Sequence, residues 1–252
     1  MSYITDITYT EGIYNQMHPS YLSLACAIHG YMPPDWKKEF DYLEIGCGKG
    51  YTLNALGATY PESYFVGIDF NPAHIEEANL VTKKAGLDNN TEWHCHHIEE
   101  HLDIYRWEPK YNYIALHGVY SWVSDETRAA IREIIDRTLV PGGIVYISYD
   151  TFPGWSTMLP FHELLKREMK SKSPVESLTS LFAKVKNLRE QGGCFPKAID
   201  PVWERWEKLE KMDWRYVLHE YGNGELRPFY FDEVYEDMKS VGMTYVGKTD
   251  LS

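Results

Sequence analysis

Residues 43–50 read Leu43-Glu44-Ile45-Gly46-Cys47-Gly48-Lys49-Gly50, a short apolar run that ends in three closely spaced glycines. An apolar run of this length is typical of a strand buried on both faces of a parallel sheet. Glycine tolerates positive φ and allows a ligand to approach the backbone closely. The pattern therefore predicts a strand that turns sharply into a helix, with a nucleotide-type ligand loop between the two.

The chain around this loop alternates between strand and helix patterns. The predicted strands are 41–45, 64–68, 91–98, 112–117 and 144–149, and the predicted helices are 52–60, 72–85 and 125–139. Strands that alternate with helices of 10 to 15 residues predict a parallel sheet with right-handed crossovers.

The remaining segments depart from this rhythm. Residues 1–39 open irregularly and contain one helical stretch, whereas 151–213 show only helical patterns. Residues 215–221 and 243–248 have the pattern of two further strands, joined by a helix at 231–241. We expect a single domain over 1–252, made of an N-terminal helical segment (1–39), the ligand-binding core (40–150), a helical insertion (151–213) and the last two strands (214–252).

The composition is that of a globular protein with an acidic surface. The chain has 252 residues, 44% hydrophobic and 25% charged, and 37 acidic against 25 basic side chains give a net charge of -12. This balance argues against nucleic acid as a partner, since phosphate binding needs clustered lysine and arginine. The aromatic share of 15% exceeds what a core needs, so some rings are expected to line a pocket.

The sequence has no feature of export or membrane insertion. Its first residues lack the basic start and apolar core of a signal peptide, and no apolar run approaches the roughly 18 residues of a membrane span. The cysteines form no C-x-x-C pair and are Cys26, Cys47, Cys95 and Cys194. We expect a reduced, cytoplasmic protein that does not bind membranes.

Two carboxylates flank the glycine loop. Glu44 precedes it, and Asp69 ends the second predicted strand, 19 residues after Gly50, where a carboxylate can accept both ribose hydroxyls. A dinucleotide fingerprint reads G-x-G-x-x-G rather than G-x-G-x-G, and a pyrophosphate would lie beside two negative charges, so a nicotinamide oxidoreductase is disfavoured. A cofactor with a cationic sulfonium and an ammonium group suits the pair better. A tight turn without any ligand remains the alternative.

The pattern E-x-G-x-G-x-G resembles motif I of class I S-adenosylmethionine (SAM) methyltransferases. Longer segments look like the bacterial protein-lysine methyltransferase family known from rickettsial outer-membrane-protein methyltransferases. They read YNQMHPSYL at 14–22, HGVYSWV at 117–123 and YISYDTFPGW at 146–155, with shorter matches at 219–221 and 228–231.

The resemblance implies an α/β, Rossmann-like, seven-stranded SAM-dependent methyltransferase fold with N-terminal helices and a helical insertion after the fifth strand. The cofactor is then SAM and the product S-adenosylhomocysteine. The implied cofactor contacts are Glu44, Gly46, Cys47, Gly48 and Gly50 in the loop, Asp69 at the ribose, Phe70, His97 and Ile98 at the adenine, and His117, Gly118 and Val119 beneath the sulfur. At His97 the family usually has Asp.

On the acceptor side, an amine must lose its proton before methyl transfer, so a carboxylate or histidine near an aromatic pocket suits the chemistry. By position, the candidate catalytic residues are Tyr149, Asp150 and His117, and the candidate pocket residues are Tyr14, Tyr120, Trp122 and Trp155. Tyr149 can equally be a core residue at a strand end, and Asp150 can cap a turn. Trp122 and Trp155 can equally pack the insertion on the sheet. The family usually has Asn in place of Asp150.

The run His94-Cys95-His96-His97, with His101 beyond it, raises the question of a metal. Alternation along a strand places His94 and His96 on one face and Cys95 and His97 on the other. One strand therefore cannot direct all four at one ion, and we expect no metal site.

The sequence leaves three functions open. The first is a SAM-dependent methyltransferase that acts on an amine, with a protein lysine as one acceptor. The second is a small-molecule N- or O-methyltransferase that uses 151–213 as a lid. The third, of another class, is a SAM-binding regulatory protein without catalysis.

Overall fold

The computed structural model describes residues 12–104, 110–192 and 200–250. These residues fall into two compact units, which we call the sheet unit (12–149 and 229–250) and the helical unit (150–228). The start of the predicted N-terminal segment (1–11) and Cys194 lie outside the described residues. The other three cysteines are free thiols.

The sheet unit alternates strands and helices. Its elements are α1 (Pro19–Ile28), β1 (Asp41–Ile45), α2 (Tyr51–Thr59), β2 (Tyr64–Asp69), α3 (Pro72–Ala85), β3 (Thr91–Cys95), α4 (Ile98–Ile104), β4 (Tyr111–Leu116), α5 (Asp125–Thr138) and β5 (Leu139–Ile147). Short 3-10 helices lie at Asn15–Met17 and Tyr120–Trp122.

The helical unit contains no strand among its described residues. Its elements are a 3-10 helix at Gly154–Thr157, α6 (Leu159–Glu168), α7 (Pro174–Glu190), α8 (Asp200–Glu210) and α9 (Trp214–Gly222). The chain then returns to the sheet unit with α10 (Phe231–Lys239).

All strand pairs in the sheet are parallel, and the strand order is β3-β2-β1-β4-β5. In the register of β1 and β2, Glu44 lies opposite Gly67 and Ile45 opposite Ile68. The carboxyl ends of β1 and β2 therefore meet at one edge of the sheet, and they bring Glu44 and Asp69 to the same place.

Helix α3, which follows Asp69, is defined at both ends by its sequence. The side chain of Asn71 caps its start by accepting a hydrogen bond from the Ala73 N–H at 3.0 Å, and Pro72 takes the first helical position. Gly86 ends the helix in the left-handed region, with φ 69°. Both ends agree with the prediction for 72–85.

Strand β1 buries both of its faces. Leu43 and Ile45 of β1 join one apolar cluster with Ile131 and Ile134 of α5, whereas Tyr42 belongs to the cluster on the other face. This alternation follows from the period of two along a strand. It explains why β1 reads as a continuous apolar run and why burial of both faces was predictable.

One predicted strand is a helix. Residues 215–221 belong to α9, where Val217, Leu218 and Tyr221 are buried at the i, i+1, i+4 spacing of a helix face. The Asp213 side chain caps this helix by accepting the N–H of Arg215 at 2.8 Å. A short apolar stretch fits either period, and the capping aspartate decides in favour of the helix.

The prediction of seven strands was wrong for the described part of the chain, whose sheet has five. Residues 243–248, predicted as the last strand, lie outside any strand. The third strand is also shorter than predicted and ends at Cys95, because the His97 carbonyl accepts the N–H of Glu100 and opens α4. Among the described residues, no helix is both long and apolar enough to cross a membrane.

Candidate functional site

The glycine loop after β1 adopts a backbone that other residues avoid. Gly46 and Gly50 have φ 73° and 68°, in the left-handed region. A Cβ at Gly46 would overlap with Cγ2 of Val119, and one at Gly50 would overlap with the ring of Trp93. Glycine is therefore required at both positions, and the backbone between them remains accessible to a ligand.

Asp69 at the end of β2 is held in place by the loop. Its Oδ2 accepts the N–H of Gly48 at 2.9 Å, and its Oδ1 accepts the N–H of Asn71 at 2.9 Å. The residue is 8% exposed. These bonds fix the carboxylate at the carboxyl edge of the sheet, at the start of α3.

Glu44 is the second carboxylate of this edge and is 4% exposed. Burial, and then the charge of Asp69, raises its pKa well above the usual range. Its Oε2 has no hydrogen-bond partner among the described residues. The raised pKa favours the neutral carboxyl, whereas a cationic group at this place would favour the carboxylate, so the pair suits the sulfonium and ammonium groups of SAM.

His74 is a site residue that the sequence analysis missed. It lies in the first turn of α3, is 5% exposed, and places Nδ1 3.3 Å from Oδ1 of Asp69. The sequence offered one clue, since a buried histidine one helical turn after the N-cap of α3 can face the carboxyl end of β2. The prediction of α3 had treated this position only as a part of the helix.

The residues expected at the adenine come together at the same edge. The rings of Phe70 and His97 stack, with centroids 5.5 Å apart and planes 15° apart. Ile98 begins α4 immediately afterwards. Cys47 in the loop is buried, and burial raises the pKa of its thiol well above the usual range, so it remains a thiol.

His117, just after β4, lies among three hydroxyl-bearing side chains. Its Nδ1 is 3.0 Å from the hydroxyl of Tyr146 and 3.3 Å from Oγ of Ser148. Gly118 donates its N–H to the same Oγ at 2.7 Å. The ring of Tyr14 covers the imidazole, with centroids 3.8 Å apart. Burial lowers the pKa of His117, which favours the neutral form.

The other expected acceptor residues of the sheet unit are more buried. Tyr120 is 0% exposed and donates its hydroxyl to Oδ2 of Asp237 on α10 at 2.7 Å. Trp122 is also buried. Tyr149 is half-buried and contacts Phe229 edge to face, with centroids 6.4 Å apart. These contacts tie the segment after β4 and the end of β5 to the chain around α10.

Asp150 and Trp155 belong to the helical unit. Burial raises the pKa of Asp150 to about 6, against a smaller lowering by a hydrogen bond from Trp155. The ring of Trp155 lies 5.4 Å from that of Tyr221. Burial, and then the charge of Asp150, raises the pKa of Glu220 to about 7. The unit thus holds two carboxyl groups whose pKa values are raised toward neutral pH.

The histidines around β3 form a cluster without metal geometry. The ring centroids of His94, His96 and His101 lie 5.2 to 6.3 Å apart. In the described part of the chain, no group of three or more potential ligands is arranged to hold a metal ion. His97 points elsewhere and stacks on Phe70.

Two family patterns match the sequence. "Methyltransferase domain" matches residues 43–145, which run from β1 to β5. "Predicted methyltransferase regulatory domain" matches residues 213–252, which include α9 and α10.

Several known proteins are similar over most of this chain. An uncharacterized protein of Synechocystis is 34% identical over 99% of this chain and 49% of its own length. The structure of PKMT2 from Rickettsia typhi superposes with a TM-score of 0.81 at 30% identity, and it covers 96% of this chain and 46% of that one. A second structure of PKMT2 is a complex with AdoHcy. The chain thus spans about half the length of these two proteins.

An uncharacterized protein of Rickettsia prowazekii is 30% identical over 86% of this chain and 85% of its own length. This match extends over both units, and the methyltransferase pattern covers the strands and loops that carry Glu44, Asp69 and His117. The chain therefore belongs to the class I SAM-dependent methyltransferases, in the family of these rickettsial proteins.

Proposed function

We propose that this chain transfers a methyl group from SAM to an amine, and that the acceptor is a protein lysine. The assignment of SAM as the cofactor rests on the buried pair Glu44 and Asp69, which lies beside a loop that only glycine can form. The resemblance of the segments at 14–22, 117–123 and 146–155 to protein-lysine methyltransferases supports the acceptor.

The residues of the loop would hold SAM along the carboxyl edge of the sheet. Glu44 and the loop backbone suit the methionine part, Asp69 suits the ribose hydroxyls, and the Phe70 and His97 rings suit the adenine. When bound, SAM supplies a methyl group activated by its positively charged sulfur. Alignment of the amine, the methyl group and the sulfur can lower the barrier of such displacements by up to about 7–11 kcal/mol.

The amine needs a group that accepts its proton. His117 suits this role because burial keeps its imidazole neutral at pH 7 and therefore able to take a proton. Asp150, with a pKa raised to about 6, is the second candidate, and Tyr149 is the third. Tyr14, which covers the His117 ring, and Trp122 and Trp155 are proposed to shape the acceptor side.

Titration with S-adenosylhomocysteine in a calorimeter tests the cofactor, and we expect binding at micromolar concentration. Absence of binding at high micromolar ligand would remove every SAM-based function. Transfer of a labelled methyl group to lysine-containing peptides, to lysate proteins and to a metabolite pool then tests the acceptor. Label in metabolites alone would favour a small-molecule methyltransferase, and binding without any transfer would favour a regulatory SAM-binding protein.

A further inference from the structure

We propose that Tyr146 and Ser148 are positioning residues that hold the His117 imidazole with its Nε2 available to the acceptor amine. This inference rests on the proposed function, in which His117 accepts the proton of the amine. Both residues lie in the 146–155 segment, but neither is among the site residues expected from the sequence. Their role follows from the way in which β4 and β5 pair.

The register of β4 and β5 brings the three side chains together. Ala115 lies opposite Tyr146 and Leu116 opposite Ile147. The ladder continues one step, since Ser148 donates its N–H to the Leu116 carbonyl at 3.0 Å. Alternate residues of a strand share a face, so the hydroxyls of Tyr146 and Ser148 lie on one side, next to His117.

The hydrogen bonds of His117 all involve one nitrogen. Nδ1 lies 3.0 Å from Oη of Tyr146 and 3.3 Å from Oγ of Ser148. In the described part of the chain, no hydrogen bond reaches Nε2. We assign the ring proton to Nδ1, where the two hydroxyl oxygens accept it, and this assignment leaves the lone pair on Nε2.

Two aromatic rings also contact the imidazole. Tyr14 covers one face at a centroid distance of 3.8 Å, and the Tyr146 ring is parallel to the imidazole within 7°. Burial raises the pKa of the Tyr146 hydroxyl, which therefore stays neutral at pH 7. No carboxylate of the described residues forms a hydrogen bond or ion pair with His117, so the hydroxyls are the groups that orient the neutral ring.

The step is balanced as follows. The ammonium form of the acceptor gives one proton to Nε2 of His117, which becomes an imidazolium with protons on both nitrogens, and the acceptor becomes a neutral amine. The lone pair of the neutral amine forms the nitrogen–carbon bond to the methyl group, while the carbon–sulfur electron pair remains on sulfur. Nδ1 keeps its hydrogen bonds to Tyr146 and Ser148 throughout, so these hydroxyls also stabilise the charged ring.

The test compares Tyr146→Phe and Ser148→Ala with the control Tyr113→Phe in the full chain. Tyr113 is a buried tyrosine of β4 whose hydroxyl contacts Ser23 at 3.1 Å. With SAM and a lysine-containing peptide as probes, we expect kcat to fall about tenfold in the two site variants, a part of the range that a general base contributes. The affinity for S-adenosylhomocysteine should stay within about threefold, and Ser148→Thr should recover kcat. Tyr113→Phe should leave kcat unchanged.

Nitrogen NMR of the ring gives a readout that does not depend on activity. We expect the wild-type signals to show the Nδ1–H tautomer, and the two site variants to show a mixture of tautomers. A wild-type ring that carries its proton on Nε2 would overturn the inference, as would wild-type kcat and an unchanged tautomer in both variants.

The variant His117→Gln distinguishes a failure of the positioning role of Tyr146 and Ser148 from a failure of the proposed function. If His117→Gln retains wild-type kcat, the base role fails and the proposed function needs another proton acceptor. If His117→Gln loses kcat while Tyr146→Phe and Ser148→Ala keep it, the base role stands and the positioning role is refuted. Absence of peptide methylation by the wild type counts against the lysine acceptor, and the NMR comparison still decides the inference.

Discussion

Asp69 and Glu44 lie at one edge of the sheet, where their carboxyl groups favour a positively charged ligand. Asp69 is held by two backbone amides, whereas Glu44 is buried beside it with a raised pKa. A cation that enters this edge interacts with one carboxylate and favours ionisation of the other. Two neighbouring carboxylates repel each other. A positively charged cofactor reduces this repulsion and a pyrophosphate increases it, so the edge favours the cation.

Asp69→Ala should weaken the binding of S-adenosylhomocysteine by about 100-fold or more, because two hydrogen bonds from ribose hydroxyls to a charged acceptor are lost. Asp88→Ala, at an exposed carboxylate after α3, is the control and should bind like the wild type. Calorimetry measures both. Wild-type affinity in Asp69→Ala would refute the ribose assignment.

His74 should support the same site indirectly. Its Nδ1 is the side-chain group that faces Oδ1 of Asp69, at 3.3 Å. We expect His74→Leu to weaken S-adenosylhomocysteine binding by about tenfold, the value of one hydrogen bond to a charged group. His74→Asn can place an amide N–H where Nδ1 lies and should stay close to the wild type. Equal affinities in the two variants would show that the contact does not matter.

The elements show which predictions a sequence supports. The ends of α3 followed from Asn71, Pro72 and Gly86, and the position of β1 followed from an apolar run. The prediction of a strand at 215–221 was wrong, because a stretch of seven residues is too short to distinguish the period of a strand (two residues) from that of a helix (3.6 residues). His74 and Tyr146 were missed for another reason, since their contacts depend on packing and strand register that no local pattern encodes.

Gly46 in the glycine loop and Gly30 after α1 allow the cost of a left-handed backbone to be separated from that of steric overlap. Gly30 and Gly46 both have positive φ, 82° and 73°, but only a Cβ at Gly46 meets another atom, on Val119. Alanine should cost about 1 kcal/mol at Gly30 from the left-handed backbone. At Gly46 the overlap adds about 1–3 kcal/mol. Urea unfolding measures both, and equal losses would contradict the close packing of the loop on Val119.

Strand β3 and helix α4 should make stability depend on pH. Burial, and then the charges of His96 and His94, lowers the pKa of His101 to about 4. An unfolded histidine has a pKa of about 6.5, so between these values the unfolded chain binds a proton that the folded chain excludes. The contribution of His101 to the free energy of unfolding is therefore fully present above about pH 6.5, and it is lost as the pH drops toward 4.

Between pH 7.5 and pH 5, His101 should account for about 2 kcal/mol of this loss. Urea unfolding of His101→Gln at the two pH values should show a loss smaller by that amount. His29→Gln, at an exposed position after α1, is the control and should behave like the wild type. The same loss in His101→Gln and the wild type would contradict the lowered pKa.

At the scale of the whole molecule, the sequence predicted the α/β class and the parallel sheet but not the number of strands. The order β3-β2-β1-β4-β5 places β1 at the centre of the sheet, with β2 and β3 on one side and β4 and β5 on the other. The expected trailing strands were not found, because 215–221 packs as a helix in the other unit and 243–248 has no strand ladder. Glu44 and Asp69 are two of the 37 acidic side chains behind the formal net charge of -12.

Strand β5 has β4 as its neighbour on one side, and no other strand of the described residues pairs with it. Its other side borders an apolar groove of about 570 Å³ that Tyr149, Phe231 and Tyr245 help to line. The backbone amides that point to β4 are in hydrogen bonds, whereas those that alternate with them face the groove.

Amide hydrogen exchange should therefore divide the regularly paired part of β5, residues 144–147, into two classes. The amides bonded to β4 should exchange slowly, and the alternate ones should exchange orders of magnitude faster, although their side chains are apolar. Central strand β1, with a neighbour on each side, should be protected throughout. Uniform protection along β5 would mean that in solution another polypeptide segment covers this edge and completes the ladder.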